Sequence, residues 1–140
     1  MRRSRASVVL AVAAFTALAG GCTTSNEAAR AAAAERGQLK LAELTEGYIA
    51  GEPVRCISPA SNQQFTVIDR TALYMKRGNT IFVNVPDYPE TLDDDDVLLI
   101  EYRGTNQLCH NQPIKMIDRG SGFLRGFVTL NDFVPYKKMD

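Results

Sequence analysis

A small all-β domain, a barrel or a two-sheet sandwich of short antiparallel strands carried behind an N-terminal helical tether, is the architecture the sequence predicts. Three observations predict it. An alanine-rich stretch stops at Gly51-Glu52-Pro53, the composition beyond Pro53 shifts to valine, isoleucine and aromatics, and turn signals then recur at short intervals. They stand at Lys76-Arg77-Gly78-Asn79, Pro86-Asp87, Arg103-Gly104-Thr105-Asn106, Gln112-Pro113, Gly120-Ser121-Gly122 and Asn131-Asp132, a spacing that suits short strands. A chain of 140 residues is the length of one domain. With 45% hydrophobic residues and 16 basic side chains against 16 acidic ones, it is neither a strongly basic nucleic-acid binder nor a low-hydrophobicity disordered chain.

The first element is an export signal over residues 1–21. Arg2, Arg3 and Arg5 open the chain, and Ala6 to Gly21 is an apolar run too short to cross a bilayer as a stable helix. Leu18-Ala19-Gly20-Gly21-Cys22 follows, and it resembles the lipobox of bacterial lipoproteins, in which the cysteine is acylated and becomes the mature N-terminus. Ala19 holds a place where the lipobox prefers a larger aliphatic residue, and Ala17-Leu18-Ala19 fits ordinary signal cleavage, which releases a soluble periplasmic protein instead. Lipidation at Cys22 is the expectation. Cleavage removes three arginines and leaves a mildly acidic chain, so the membrane is reached through acyl chains and not through a basic patch. Thr23 rather than aspartate after Cys22 resembles the pattern that sorts lipoproteins to the periplasmic side of the outer membrane.

Residues 22–52 form the lipidated N-terminus and tether. Asn26-Glu27 opens an alanine-rich helical stretch to Arg36, and Leu41, Leu44 and Tyr48 lie on one face of a second helical segment over 38–49 that docks on the domain. Gly37 between them is expected to kink the helix. Residues 53–140 make the β domain, with strands read at 54–57, 65–68, 71–76, 80–85, 97–103, 106–110, 113–118, 123–129 and 133–136. The marks are alternation: Leu73 with Met75, Ile81 with Val83 and Val85, and Leu98 with Ile100 and Tyr102.

Three cysteines settle by parity. With Cys22 carrying lipid, Cys56 and Cys109 remain as an even pair, 53 positions apart, in an exported chain. A structural disulfide is expected. The opposing reading, a reactive cysteine beside His110, fails because neighbours on a strand point to opposite faces.

No catalytic set emerges. His110 is the only histidine, and Ser58, Ser61 and Ser121 sit in turn contexts without a nucleophile elbow. Gly120-Ser121-Gly122 lacks the lysine and helix of a phosphate loop. Asp93, Asp94, Asp95 and Asp96 are weak metal candidates: carboxylates suit a hard cation, but the run lacks the alternating ligands and glycine of an EF-hand. A polar turn, with Asp93 or Asp94 capping a helical turn before Val97, is expected there. Arg119, Arg125, Tyr136 and Lys137 form a possible binding surface, while the interleaved Phe123, Phe127 and Phe133 are expected in the core. The chain is therefore expected to be no enzyme, to need no cofactor, and to bind a periplasmic protein or cell-wall component and no nucleic acid. The other reading is an enzyme or metal-dependent domain using the acidic turn or His110.

Arg55-Cys56-Ile57, Thr66-Val67-Ile68-Asp69-Arg70-Thr71, Leu92 to Asp96, Leu108-Cys109, Asp118, Gly126-Phe127 and Phe133-Val134-Pro135-Tyr136 carry a resemblance. In their order and spacing, over about residues 54–136, the chain resembles an uncharacterised family of small exported proteins of Gram-negative bacteria, a domain of unknown function. The resemblance implies the same domain boundaries and the same disulfide, and no activity. A lysozyme inhibitor is a third reading, by analogy of fold with small disulfide-bonded periplasmic barrels.

Overall fold

The computed structural model describes residues 21–58, 64–102 and 104–139, with side chains from residue 25 onward. The signal reading of residues 1–20, the acylation of the Cys22 side chain and the turn serine Ser61 lie outside the described residues. Among the described residues no helix is long and apolar enough to cross a membrane.

The fold is mixed. Among the described residues one α-helix, α1 (Gly21–Thr45), precedes ten strands: β1 (Tyr48–Ala50), β2 (Cys56–Ile57), β3 (Thr66–Ile68), β4 (Ala72–Arg77), β5 (Thr80–Asn84), β6 (Asp96–Leu99), β7 (Leu108–Cys109), β8 (Pro113–Asp118), β9 (Leu124–Thr129) and β10 (Phe133–Lys138). They form a five-stranded sheet in the order β1-β10-β5-β4-β3, a three-stranded sheet β6-β8-β9, and a two-stranded ladder β2-β7, every pairing being antiparallel. Among the described residues no sheet closes on itself, which corrects the barrel reading. The all-β description gives way to a layered α-plus-β arrangement.

Alternation along the strands explains the layers. Leu73, Met75, Phe82 and Phe133 from the five-stranded sheet meet Ile114, Met116 and Val128 from the three-stranded sheet, with Ile57 and Leu108 of the ladder closing the same core. The opposite face of the larger sheet carries Ala72, Ile81 and Val83, and there Leu41 and Leu44 of α1 pack with Tyr48, Tyr74 and Tyr136. That sheet is covered on both faces. The helix thus docks as its apolar spacing predicts, but it ends at Thr45, and Tyr48 to Ala50 turns into an edge strand on β10. Gly47, with φ of 75°, makes that turn.

Gly37 does not interrupt the helix, which is continuous from Gly21 to Thr45. It is buried, and a Cβ there would lie 2.0 Å from Thr71 Oγ1 and 2.4 Å from the carbonyl of Asp69. The glycine is what lets α1 approach the turn between β3 and β4.

Cys56 and Cys109 face each other across the ladder and are joined by a disulfide, with their Cα atoms 4.0 Å apart. The His110 amide donating to the carbonyl of Arg55 places the two cysteines at a non-hydrogen-bonded position of the antiparallel pair, where side chains stand closest.

Candidate functional site

The acidic run follows a single 3-10 turn, Pro89–Thr91, so the helical turn lies before the aspartates and not after them. The amide of Leu92 closes this turn onto the carbonyl of Pro89, and the Leu92 side chain is buried in the core. Its own carbonyl accepts the amide of Arg70, and the Arg70 guanidinium donates to the carbonyl of Glu90 at 2.7 Å. The chain leaves this anchor with Asp93 Oδ1 accepting the Asp95 amide at 3.0 Å and the Asp93 carbonyl accepting the Asp96 amide. This tight local turn sends the four carboxylates in two directions.

Asp93, Asp94 and Asp95 come together, with one carboxylate oxygen from each lying within 4.8 Å of the others. Asp96 opens β6 and turns inward, where its side chain is only 1% exposed. Arg125 joins the two groups: one guanidinium nitrogen lies 2.7 Å from Asp93 Oδ2 and 3.1 Å from Asp96 Oδ1. The position of Arg125 comes from a β-bulge. Met116 pairs with Gly126 and Ile117 with Leu124, so Arg125 is the extra residue in the ladder, and a bulge re-aims the side chain it carries. Arg119 donates to the carbonyl of Asp95 at 3.3 Å.

The charges respond to this placement. The Arg125 hydrogen bond, with the Asp95 amide next, holds the Asp93 carboxyl below the ordinary carboxylate range. Burial pushes Asp96 up, against the attraction of Arg125. Asp69, across the cleft, is raised by burial and then by the negative charges of Asp94 and Asp93. A cleft of about 630 Å³ opens over these groups, and Arg30 of α1, Arg70 and Arg125 line it together with the three aspartates.

Replacing Arg125 by alanine has a signed pH dependence. Asp93, with its lowered value, contributes stability above its unfolded value and loses it as pH falls through the folded one; Asp96, raised by burial, is penalised only while ionised. Both effects make Arg125→Ala most destabilising at neutral pH, by about 1–2 kcal/mol once partial solvent exposure of the arginine is allowed for. Melting curves should show the gap between variant and wild type narrowing as pH falls below the ordinary carboxylate range and through the lowered value of Asp93. A gap independent of pH would refute the electrostatic role.

These positions correct two expectations. The aspartates do form a polar turn, but it follows the helical turn instead of capping it, three of them form a cluster that could hold a metal ion, and Asp96 is a buried partner of Arg125. The expectation that the protein is no enzyme is overturned by the same cluster, because it rested on the lack of any assembled set of reactive or metal-ligating groups.

The proposed basic and aromatic surface is divided between two places. Arg119 and Arg125 serve the acidic turn, whereas Tyr136 packs toward α1 and Lys137 lies on β10 opposite Ile49. Of the three phenylalanines expected inside, Phe133 is fully buried, while Phe123 and Phe127 are 75% and 56% exposed.

His110 has a partner that sequence reading missed. Its Nδ1 is buried and lies 2.9 Å from Asp132 Oδ1, at ion-pair distance but without hydrogen-bond alignment. Asn84 sets this up: it is fully buried on β5, donates to the carbonyl of Asn131 at 2.6 Å and accepts the Asn131 amide. The Asn111 amide donates to the carbonyl of Leu130, which brings the two turns side by side. No local signal marks such a pair, since its members are far apart in the chain. His110 also lines a cavity of about 340 Å³ with Leu99, Glu101, Lys115 and Phe127.

Comparisons of the chain with models of protein families, with curated proteins and with solved structures find no match.

Proposed function

We propose that this chain is a metal-dependent domain of the bacterial envelope, in which Asp93, Asp94 and Asp95 hold a divalent cation. The single observation that carries the reading is the approach of three carboxylate oxygens to within 4.8 Å of one another at the mouth of an open cleft. Oxygen donors of this kind select a hard cation such as calcium or magnesium. Asp94 and Asp95 are exposed, which leaves coordination positions of a bound ion free for a ligand oxygen. Arg30 and Arg70 line the same cleft, so the ligand class it suits is an anionic one, a phosphate or carboxylate group of an envelope component. An ion held there would polarise that oxygen as a Lewis acid, the property that separates a metal-dependent enzyme from a simple scaffold.

The reading also draws on the N-terminus. The lipobox-like residues before Cys22 and the resemblance to exported proteins of unknown function support attachment to the periplasmic side of the outer membrane, with α1 between the anchor and the sheets.

Titration of the chain carrying Cys22→Ser with calcium, magnesium and manganese tests the cation site. At ~100 times its dissociation constant a cation adds about 2.7 kcal/mol, a rise of several degrees in Tm for a domain of this size. Asp94→Asn with Asp95→Asn should abolish the rise. No heat of binding and no change in Tm with any of the three ions would overturn the proposal.

A further inference from the structure

The crevice of about 340 Å³ beside His110 shares no lining residue with the acidic cleft, and its walls come from two parts of the chain. One wall is a cross-strand row, Leu99, Lys115 and Phe127, on the face of the three-stranded sheet opposite Ile114 and Met116. The other comes from Glu101 and from the turn at His110 to Gln112. Side chains fasten the walls together. Gln112 donates from Nε2 to the carbonyl of Glu101 at 3.1 Å and accepts the Cys109 amide on Oε1 at 3.2 Å, while Lys115 reaches Glu101 Oε1 at 2.5 Å. The disulfide fixes Cys109 in turn. The crevice is thus formed before anything enters it, which spares a ligand the cost of ordering it.

We propose that this crevice binds a neutral sugar, recognised by His110 and Phe127. Charge makes the first selection. Lys115 has Glu101 as its partner, and Asp132 stands 2.9 Å from Nδ1 of His110. An ionic ligand would have to compete with one of these pairs, whereas a ligand without net charge leaves both in place.

The polar groups make the second. With the Asp132 carboxylate beside it, Nδ1 keeps the ring proton, and Nε2 is left as an acceptor. Nδ1 is buried while the side chain as a whole is 27% exposed, so the exposed edge of the ring is the one that carries Nε2. Thr105 and Gln107 add a hydroxyl and an amide, each of which both donates and accepts. Hydroxyl groups, which do the same, answer all three.

The apolar flank makes the third. Leu99 and Phe127, 47% and 56% exposed, stand on either side of Lys115 in the row. A pyranose ring carries hydroxyls on its rim and C–H groups on its face, and those weakly positive C–H groups suit the negative face of an aromatic ring. The volume lies at the small end of the range for ligand sites, with room for about one or two such rings.

Amide-resonance NMR titration of the full chain carrying Cys22→Ser tests this, with diacetylchitobiose, cellobiose and maltose as probes and sorbitol and inorganic phosphate as controls. A chelator keeps the acidic cleft free of cations throughout, so the sugar site and the cation site stand or fall separately. At least one sugar should bind with a dissociation constant on the order of 1 mM and shift the amides of His110, Gln112, Lys115 and Phe127. Phe127→Ala should weaken that binding about tenfold, and Phe127→Tyr, which restores the ring, should keep it. His110→Ala should weaken it by a similar factor, and His110→Gln, which keeps an acceptor, covers the case in which the alanine disturbs the turn. Circular dichroism checks the fold of each variant. No shift with any of the three sugars at about 10 mM overturns the proposal. So does an affinity that Phe127→Ala and His110→Ala both leave unchanged, or phosphate or sorbitol moving the same amides as far as the sugars do.

Discussion

Replacing Cys56 and Cys109 by serine should lower the stability of the domain by about 4 kcal/mol, the loop-closure value for a bridge spanning 53 residues. The corresponding fall in Tm is on the order of 10–20 °C. The architecture makes this bridge more consequential than its length alone. β2 and β7 contribute two residues each, and a ladder that short does not persist by its own hydrogen bonds. Yet it delivers Ile57 and Leu108, both buried, to the main core, and the His110 amide donates to the carbonyl of Arg55 just beyond it. Without the bridge the chain must hold these side chains in place through the flanking hydrogen bonds alone, those between Val54 and Phe133 and from the Asn111 amide to the carbonyl of Leu130. Thermal melts with and without reductant check the expectation, with thiol labelling of the denatured protein to show the redox state. Equal melting of the bridged and the fully reduced protein would remove the disulfide from the account.

Gly37→Ala should destabilise the protein by about 1–3 kcal/mol, the cost of forcing extra volume into a packed contact. The sign is the informative part. In a helix that serves only as a spacer, the same substitution stabilises by up to about 1 kcal/mol, because alanine is the better helix former. Here the new methyl group meets the carbonyl of Asp69, which cannot rotate away, and Thr71 Oγ1, which is itself bonded to that carbonyl at 2.9 Å. Either α1 moves off the sheet, exposing Leu41 and Leu44 and uncovering Ala72, Ile81 and Val83, or the turn between β3 and β4 deforms. That turn holds Arg70, whose amide and guanidinium anchor the acidic segment, so the substitution also reaches the cation site. A rise in Tm for Gly37→Ala would show that α1 is a spacer and not a layer of the fold.

The sites were legible to different depths. The aspartate run is conspicuous as composition, but its division depends on one turn: Asp93 Oδ1 takes the Asp95 amide, and the chain direction thereby changes before β6 begins. Arg125 was visible as a basic residue among aromatics. Its attachment to Asp93 and Asp96 needed the bulge that removes it from the ladder. His110 looked isolated because Asp132 reaches it through Asn84, a residue whose burial and paired amide no strand periodicity reports.

The sequence by itself determined the strand-rich composition beyond Pro53, the alternation that separates Leu73 and Met75 from Ala72 and Tyr74, the apolar spacing of Leu41 and Leu44, and the parity that pairs Cys56 with Cys109. Each is local or arithmetic, and period-two alternation is a property of a strand before it has neighbours. Only the tertiary structure decided which faces are covered. Alternation states that a strand has two unlike faces, and it does not state how many layers the fold stacks upon them. So Phe133 went to the core while Phe127, from the preceding strand in the chain, stayed more than half exposed, and Gly37 became the place where a helix touches a sheet. The gathering of Asp93, Asp94 and Asp95 and the inward turn of Asp96 were decided there too, because burial of Leu92 and the position of Arg125 fix that turn from parts of the chain distant in sequence.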